Sequence, residues 1–281
     1  MSQATSESGR RVRVGPCEIR YERMGAGTPV VLIHTLRTQL EYYRPLLQEL
    51  AGGDLEIVAI DLPGHGHSSA PAVEYTAGFF TDAVGELLDQ LELSNAVIAG
   101  ESIGASIGLG LAARGHPRVA RVVAFNPYDY GKWGGIRRSS GLANVLFTAM
   151  LWPGVGSVVA RAGTRGVMER IMAGGLHDSE KLPPDLVDAL MESGTLPGHA
   201  RAFRSLCLQW RSWIEARAAY PSIRVPVTLV YGEHDWSRPE DRDANARDIP
   251  GARREALASC GHFSWLEATQ RAARIIREAS A

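Results

Sequence analysis

A serine between two glycines, Gly100-Glu101-Ser102-Ile103-Gly104, carries the strongest chemical signal in this chain. A serine hydroxyl is a weak nucleophile at neutral pH; it needs a base to take its proton and an acid to orient that base. Of the eight histidines, His262 stands out, in Cys260-Gly261-His262-Phe263. The matching acid is Asp235, in Tyr231-Gly232-Glu233-His234-Asp235. Such a trio attacks carbonyl carbon: Ser102 adds, His262 accepts and then returns the proton, and Asp235 fixes the imidazole. Each residue also has a plainer use. Ser102 could cap a helix, His262 could be an unpartnered loop residue, and Glu233 or Asp129 could replace Asp235. Asp129 is the serious rival, because it follows soon after Ala124-Phe125-Asn126-Pro127, at the end of a strand that also approaches the histidine. His34, His65 and His67 read as structural or loop-packing residues.

These residues act together only if regular elements bring them to one place. After a hairpin around Gly15-Pro16, Pro29–Thr35 is a short apolar run bounded by turn residues, as expected of a strand buried on both faces. A helix over 41–52 and a strand over 56–61 follow. Val84, Leu87, Leu88 and Leu91 make 79–93 an amphipathic helix. Strand 95–100 runs into the serine motif and a helix over 102–115, and strand 118–127 closes the series. This alternation predicts an α/β fold, a mostly parallel central sheet flanked by helices. Residues 127–222 lack a convincing strand and read as a helical lid inserted into the sheet domain. The pattern resumes with strand 225–230, a short strand over 252–257 and a final helix over 267–280. The expected organisation is a polar tail at 1–11, a core of 12–126 plus 223–281, and the lid at 127–222. Ser102 then sits on a sharp strand-to-helix turn, and Asp235 and His262 leave the same end of the sheet.

At this point the chain resembles the α/β-hydrolase family, in its serine-nucleophile form. The resemblance rests on the Gly100–Gly104 turn between strand and helix, on the order Ser102, Asp235, His262, and on Asp61-Leu62-Pro63-Gly64-His65-Gly66-His67-Ser68. It covers about 12–126 and 223–280, and favours Asp235 over Asp129 through the Gly-Glu-His-Asp setting. It implies an oxyanion hole made by the backbone N–H groups of Leu36 and Ile103. Where the family usually carries His-Gly, this chain has His34-Thr35-Leu36-Arg37, and a β-branched Thr35 restricts that turn. Arg37 falls near the expected pocket mouth, where a guanidinium could hold a substrate carboxylate or phosphate. Its plainer alternatives are solvent or Glu41.

The implied activity is hydrolysis, through an acyl-enzyme, of an ester, lactone or thioester of a small hydrophobic molecule with room for an anionic group. The alternatives are carbon–carbon bond hydrolysis by the same triad and a receptor-like, weakly catalytic binding protein. A serine nucleophile argues against dehalogenase and epoxide hydrolase roles, which use a carboxylate. Trp133 and Trp152 are the candidate substrate contacts from an insertion rich in aromatic and methionine residues. Gly134-Gly135 and Gly174-Gly175 are candidate hinges.

Composition agrees with a folded enzyme. The 281 residues are 45% hydrophobic and 22% charged, which excludes disorder and coiled coil. Thirty basic and thirty-one acidic residues leave a net charge of -1, giving no reason to expect a nucleic-acid partner. Cys17, Cys207 and Cys260 are far apart with no CxxC or Cys/His cluster, so neither disulfide nor metal is expected, and no cofactor. With no export signal recognisable at Arg10-Arg11, a cytoplasmic location is expected. Leu142–Ala160 is uncharged and nearly long enough to span a bilayer, but Pro153, Gly154 and Gly156 break it, so a membrane span is not expected. Nothing in the pattern specifies an oligomeric state.

Overall fold

The structure is a computed structural model and describes residues 9–130, 135–161 and 163–281. Among these residues, eight strands form one sheet: β1 (Arg10–Val14), β2 (Cys17–Gly25), β3 (Thr28–Ile33), β4 (Leu55–Ile60), β5 (Ala96–Glu101), β6 (Val119–Phe125), β7 (Val227–Gly232) and β8 (Arg253–Leu257). Their order is β1-β2-β4-β3-β5-β6-β7-β8. β1 and β2 form the antiparallel hairpin, β2 also runs antiparallel to β4, and every later pairing is parallel.

The continuous apolar runs have a direct cause. Side chains alternate across a strand, and here both faces meet a core. Val31 and Ile33 of β3, Ile98 of β5 and Val122 and Ala124 of β6 pack into one cluster. Val30 and Leu32, Val97 and Ala99, and Val123 and Phe125 pack into the other. Helix α1 (Arg44–Leu50) lies in the second layer; α2 (Ala77–Gln90) and α3 (Ile103–Ala113) lie in the first. Parallel register sets the site: Ile33 pairs with Gly100, Gly100 with Ala124, and Phe125 with Val230, so the chain leaves β3, β5, β6 and β7 at one edge.

Between β6 and β7 the described chain contributes only helices: α4 (Gly141–Met150), α5 (Val155–Arg161), α6 (Arg165–Ala173), α7 (Pro184–Ser193), α8 (His199–Leu208) and α9 (Trp210–Ala216), with short 3₁₀ turns. Ser140 and Thr164 cap α4 and α6 by accepting the backbone N–H of Ala143 and Val167. The uncharged stretch splits at Pro153-Gly154, where Gly154 has a φ of 75°, into α4 and α5. No helix among the described residues is long and apolar enough to cross a membrane. The insertion is bonded to the core by Ser205 and Ser212, whose hydroxyls accept the N–H groups of Tyr75 (3.1 Å) and Ala77 (2.9 Å). Three further helices complete the fold: α10 (Pro239–Asp248), α11 (Ser264–Glu267) and α12 (Thr269–Ser280).

Candidate active site

The serine turn is as tight as its glycines suggest. Ser102 is held at φ 58° and ψ -116°, a left-handed conformation that a non-glycine residue rarely adopts. Such strain persists only where surrounding contacts impose it, and it clusters at functional sites. A Cβ on Gly100 would lie 2.2 Å from the Gly104 carbonyl oxygen, and one on Gly104 2.2 Å from that of Ile33. Neither position tolerates a side chain without moving backbone. The Ser102 N–H donates to Phe125 O (2.9 Å), anchoring the turn on β6. Ile103 opens the eleven-residue α3.

His262 and Asp235 meet. Nδ1 of His262 lies 2.5 Å from Asp235 Oδ1, with both side chains fully buried. The second carboxylate oxygen accepts the Ser237 N–H (2.8 Å), the Ser237 hydroxyl and the Tyr130 hydroxyl (3.4 Å). Burial alone would raise the Asp235 carboxyl, but His262 and the Ser237 donors outweigh it, and its pKa is lowered. With Nδ1 committed to the carboxylate, the buried Nε2 has no hydrogen-bond partner among the described residues. Asp129 serves elsewhere: it accepts from Tyr220 (2.8 Å) and Asn245 (3.0 Å). Glu233 instead accepts the Ser259 N–H (3.1 Å).

The loop after β3 is bound from within. The Thr35 carbonyl accepts the Thr38 hydroxyl (2.9 Å) and lies 2.7 Å from His34 Nδ1. His34 Nε2 accepts the Leu62 N–H (2.9 Å), so Nδ1 carries the proton, and burial lowers its pKa to about 4. A trans peptide points its N–H away from its carbonyl, so the Leu36 N–H faces opposite this network. Neither the Leu36 nor the Ile103 N–H has a partner among the described residues. Leu36 and Ser102 line the same small chamber, of about 20 Å³. Buried Asp61 secures the loop exit by accepting the N–H groups of Leu40 (2.6 Å) and His67 (2.9 Å).

Arg37 takes neither of its plainer alternatives. Glu41 pairs with Arg20 at 3.1 Å, whereas the Arg37 guanidinium lies over the Phe203 ring, 4.3 Å from its centre. Its backbone is left-handed, with φ 63°, and desolvation lowers its pKa. No carboxylate pairs with it among the described residues. Arg37 and Ile171 border both the Ser102 chamber and an adjoining apolar cavity of about 80 Å³, lined by Phe147, Met150, Met168 and Phe203. Trp152 is not brought to the site: it is 58% exposed on the outside of the insertion. Trp133 lies outside the described residues, as does Gly134.

Several residues that hold the site carried no motif. Asn126, at φ 45°, donates through Nδ2 to His262 O (2.9 Å) and Ser264 Oγ (2.8 Å), and its Oδ1 accepts the Gly232 N–H (2.9 Å). One amide thus joins the end of β6 to the loops carrying Asp235 and His262. An asparagine just past a strand was the only signal the sequence offered. Glu101, beside Ser102, is buried but not bare: it accepts the Tyr42 hydroxyl and the Ser264 N–H (2.7 Å). Trp236 stacks on His262, ring centres 3.9 Å apart and planes at 14°. Gly174-Gly175 sit against these loops, because Gly175 O accepts the His262 N–H (2.6 Å) and a Cβ on Gly175 would lie 2.4 Å from the Phe263 ring.

The sheet order, the strained serine turn and the buried acid–histidine pair define a hydrolase-type α/β enzyme. The chain belongs to the alpha/beta hydrolase fold family, which it matches over residues 28–269. It is similar to 2-hydroxy-6-oxo-2,4-heptadienoate hydrolase of Pseudomonas putida strain F1, 25% identical over 99% of this chain and 98% of that one. It is also similar to 2-hydroxymuconate semialdehyde hydrolase of Pseudomonas sp. strain CF600, 25% identical over 98% and 94%. Among solved structures, Cfl2 from Burkholderia cenocepacia superposes with a TM-score of 0.84 at 20% identity, covering 97% of this chain and 95% of that one.

Proposed function

We propose that this enzyme hydrolyses small apolar substrates bearing a carboxylate, by attack of Ser102 on a carbonyl carbon. The observation that carries this reading is the buried His262–Asp235 pair, which leaves Nε2 without a partner among the described residues, together with a serine held at a positive φ on a strand-to-helix turn. Ser102 passes its proton to Nε2 as the C–O bond forms, and the oxyanion is received by the N–H groups of Leu36 and Ile103. His262 then protonates the leaving group, and water, deprotonated in the same way, releases the acid. Arg37, which borders both cavities and has no carboxylate partner among the described residues, supplies the carboxylate's partner, and the cavity beyond it takes an apolar chain. Residues 127–222 act as the lid over a core of 12–126 and 223–281. Three free, buried cysteines suit a reducing, cytoplasmic setting.

Two chemistries fit this site. The first is cleavage of an ester, lactone or thioester. The second, favoured by the full-length relatives, is carbon–carbon cleavage: a 2-hydroxy-6-oxo-dienoate contains no ester, so its hydrolysis breaks a bond between carbons. In that case His262 delivers its proton to a carbon leaving group.

The test is a burst assay on p-nitrophenyl esters of rising acyl length, neutral or ending in a carboxylate, alongside a coloured 2-hydroxy-6-oxo-dienoate. Ser102→Ala should lower turnover at least about a thousandfold. Arg37→Met should raise KM for carboxylated substrates by about tenfold to a hundredfold and leave neutral esters nearly unchanged. Undiminished hydrolysis by Ser102→Ala overturns the reading. Bleaching of the dienoate without an ester burst selects the second chemistry.

A further inference from the structure

The histidine is held on three sides, and only one of them belongs to the triad. Asp235 takes Nδ1. The indole of Trp236, the next residue along the chain, covers a face of the ring at 3.9 Å, almost parallel. The third hold comes from the helical insertion, where Gly175 O accepts the His262 N–H at 2.6 Å. The indole itself is tethered to the same segment, its Nε1–H donating to Gly174 O at 3.1 Å. Three residues further on, His177 stacks on His234, rings 4.1 Å apart at 7°. The insertion segment 174–177 therefore lies across both loops that supply the acid and the base.

From this geometry we infer that Trp236 is a positioning residue: its face fixes the plane of the His262 imidazole, and its N–H ties that orientation to the insertion at Gly174. The inference rests on the reading of His262 as the base. Two physical effects follow. A hydrogen bond at Nδ1 leaves the ring free to rock about the axis through that bond, and a parallel indole removes this freedom. Misdirection of Nε2 by an ångström is costly to proton transfer. The base also becomes an imidazolium only while Ser102 is adding to the carbonyl. A cation over an indole face is attracted more strongly than a neutral ring, most of all in a desolvated site, so the stack favours the transition state over the ground state. The tether adds a condition: displacement of the insertion at Gly174-Gly175 breaks one bond to the indole and one to the His262 backbone, so the base is seated only while the insertion is.

Trp236 also lines the Ser102 chamber, so a substrate-contact role must be told apart from positioning. Trp236→Leu removes the face and the tether, whereas Trp236→Phe restores a face without the N–H. With the best ester from the panel, Trp236→Leu should lower kcat by about tenfold to thirtyfold, with KM within about threefold of the parent. Trp236→Phe should recover most of kcat. The rate of Ser102 labelling by a fluorophosphonate, which needs the base but no substrate pocket fit, should follow the same order. Thermal unfolding of each variant identifies one that fails to fold, and Trp236→Phe then carries the test against the parent: labelling within about threefold of the parent supports the aromatic face as the hold on the base, and a fall of more than about tenfold overturns it. A change confined to KM, or equal impairment of Phe and Leu variants, overturns the inference. Ser102→Ala run alongside separates the two failures, since a variant still active there removes the triad itself.

Discussion

Glu101→Gln should remove a pH dependence of stability that the wild type carries. Glu101 is fully buried one residue before Ser102, and no cation pairs with it among the described residues. Burial pushes its carboxyl up to about 8, against the opposing hydrogen bonds of Tyr42 and Ser264. In the unfolded chain the group returns to the ordinary range, about 4.3. Between those values the folded state holds one proton more than the unfolded state, so stability falls as pH rises, by up to about 1.4 kcal/mol per unit. The contribution is complete below about 4.3 and is lost as pH passes about 8. Between pH 6 and pH 8 the loss amounts to about 2 kcal/mol. Glutamine keeps the neutral hydrogen-bonding pattern, its oxygen accepting from Ser264 and its amide donating to the Tyr42 oxygen, and does not titrate. Urea unfolding of both proteins at pH 6, 7 and 8 reads the difference directly, and groups such as Asp61, pushed to about 7 by burial, cancel in it. The variant should gain about 2 kcal/mol on the wild type across that range. A difference constant to within about 0.5 kcal/mol would refute the reasoning, since Glu101 would then be ionised throughout.

The two buried acids make a matched pair of tests. Asp235→Asn should cost about a thousandfold to ten-thousandfold in kcat by disturbing the His262 tautomer. Asp129→Asn, which disturbs Tyr220 and Asn245 instead, should cost about 1–3 kcal/mol in urea unfolding and little in kcat; a reversed pattern would make Asp129 the orienting acid. Gly104→Ala places a methyl 2.2 Å from Ile33 O, so backbone must move by about an ångström. That should lower kcat by about a hundredfold and stability by about 1–3 kcal/mol, measured together. A stable, fully active variant would show that the turn is not held where it is described.

What the sequence made legible follows from how local each signal is. The serine turn was readable because strand, glycines and helix lie within about twenty consecutive residues, although Gly100 is required by the turn itself and Gly104 by the Ile33 carbonyl of the neighbouring strand. The sheet was readable because strands buried on both faces have no polar side to break the run, as Val30–Ile33 show. Asp235 and Asp129 both follow strand ends; the resemblance favoured Asp235 through its Gly-Glu-His-Asp setting, and the 2.5 Å approach of its carboxylate to His262 Nδ1 distinguishes it directly. The insertion was legible as helices, but its facing was not. An apolar segment with polar neighbours does not reveal which side meets the core, so Trp152 read as a pocket residue and faces outward. Gly174-Gly175 show the same limit from the other side. A glycine pair has the freedom of a hinge, yet here the missing side chains let a backbone come within hydrogen-bonding distance of the His262 loop, a need set by a partner nearly ninety residues away in sequence. Trp236 is the sharpest case. It follows Asp235 directly in the chain, but its stacking partner is chosen by where the last loop returns. Residues that do chemistry recur in patterns, whereas residues that hold them are selected by the particular loops they must join, and Asn126, Trp236 and Tyr42 are of the second kind.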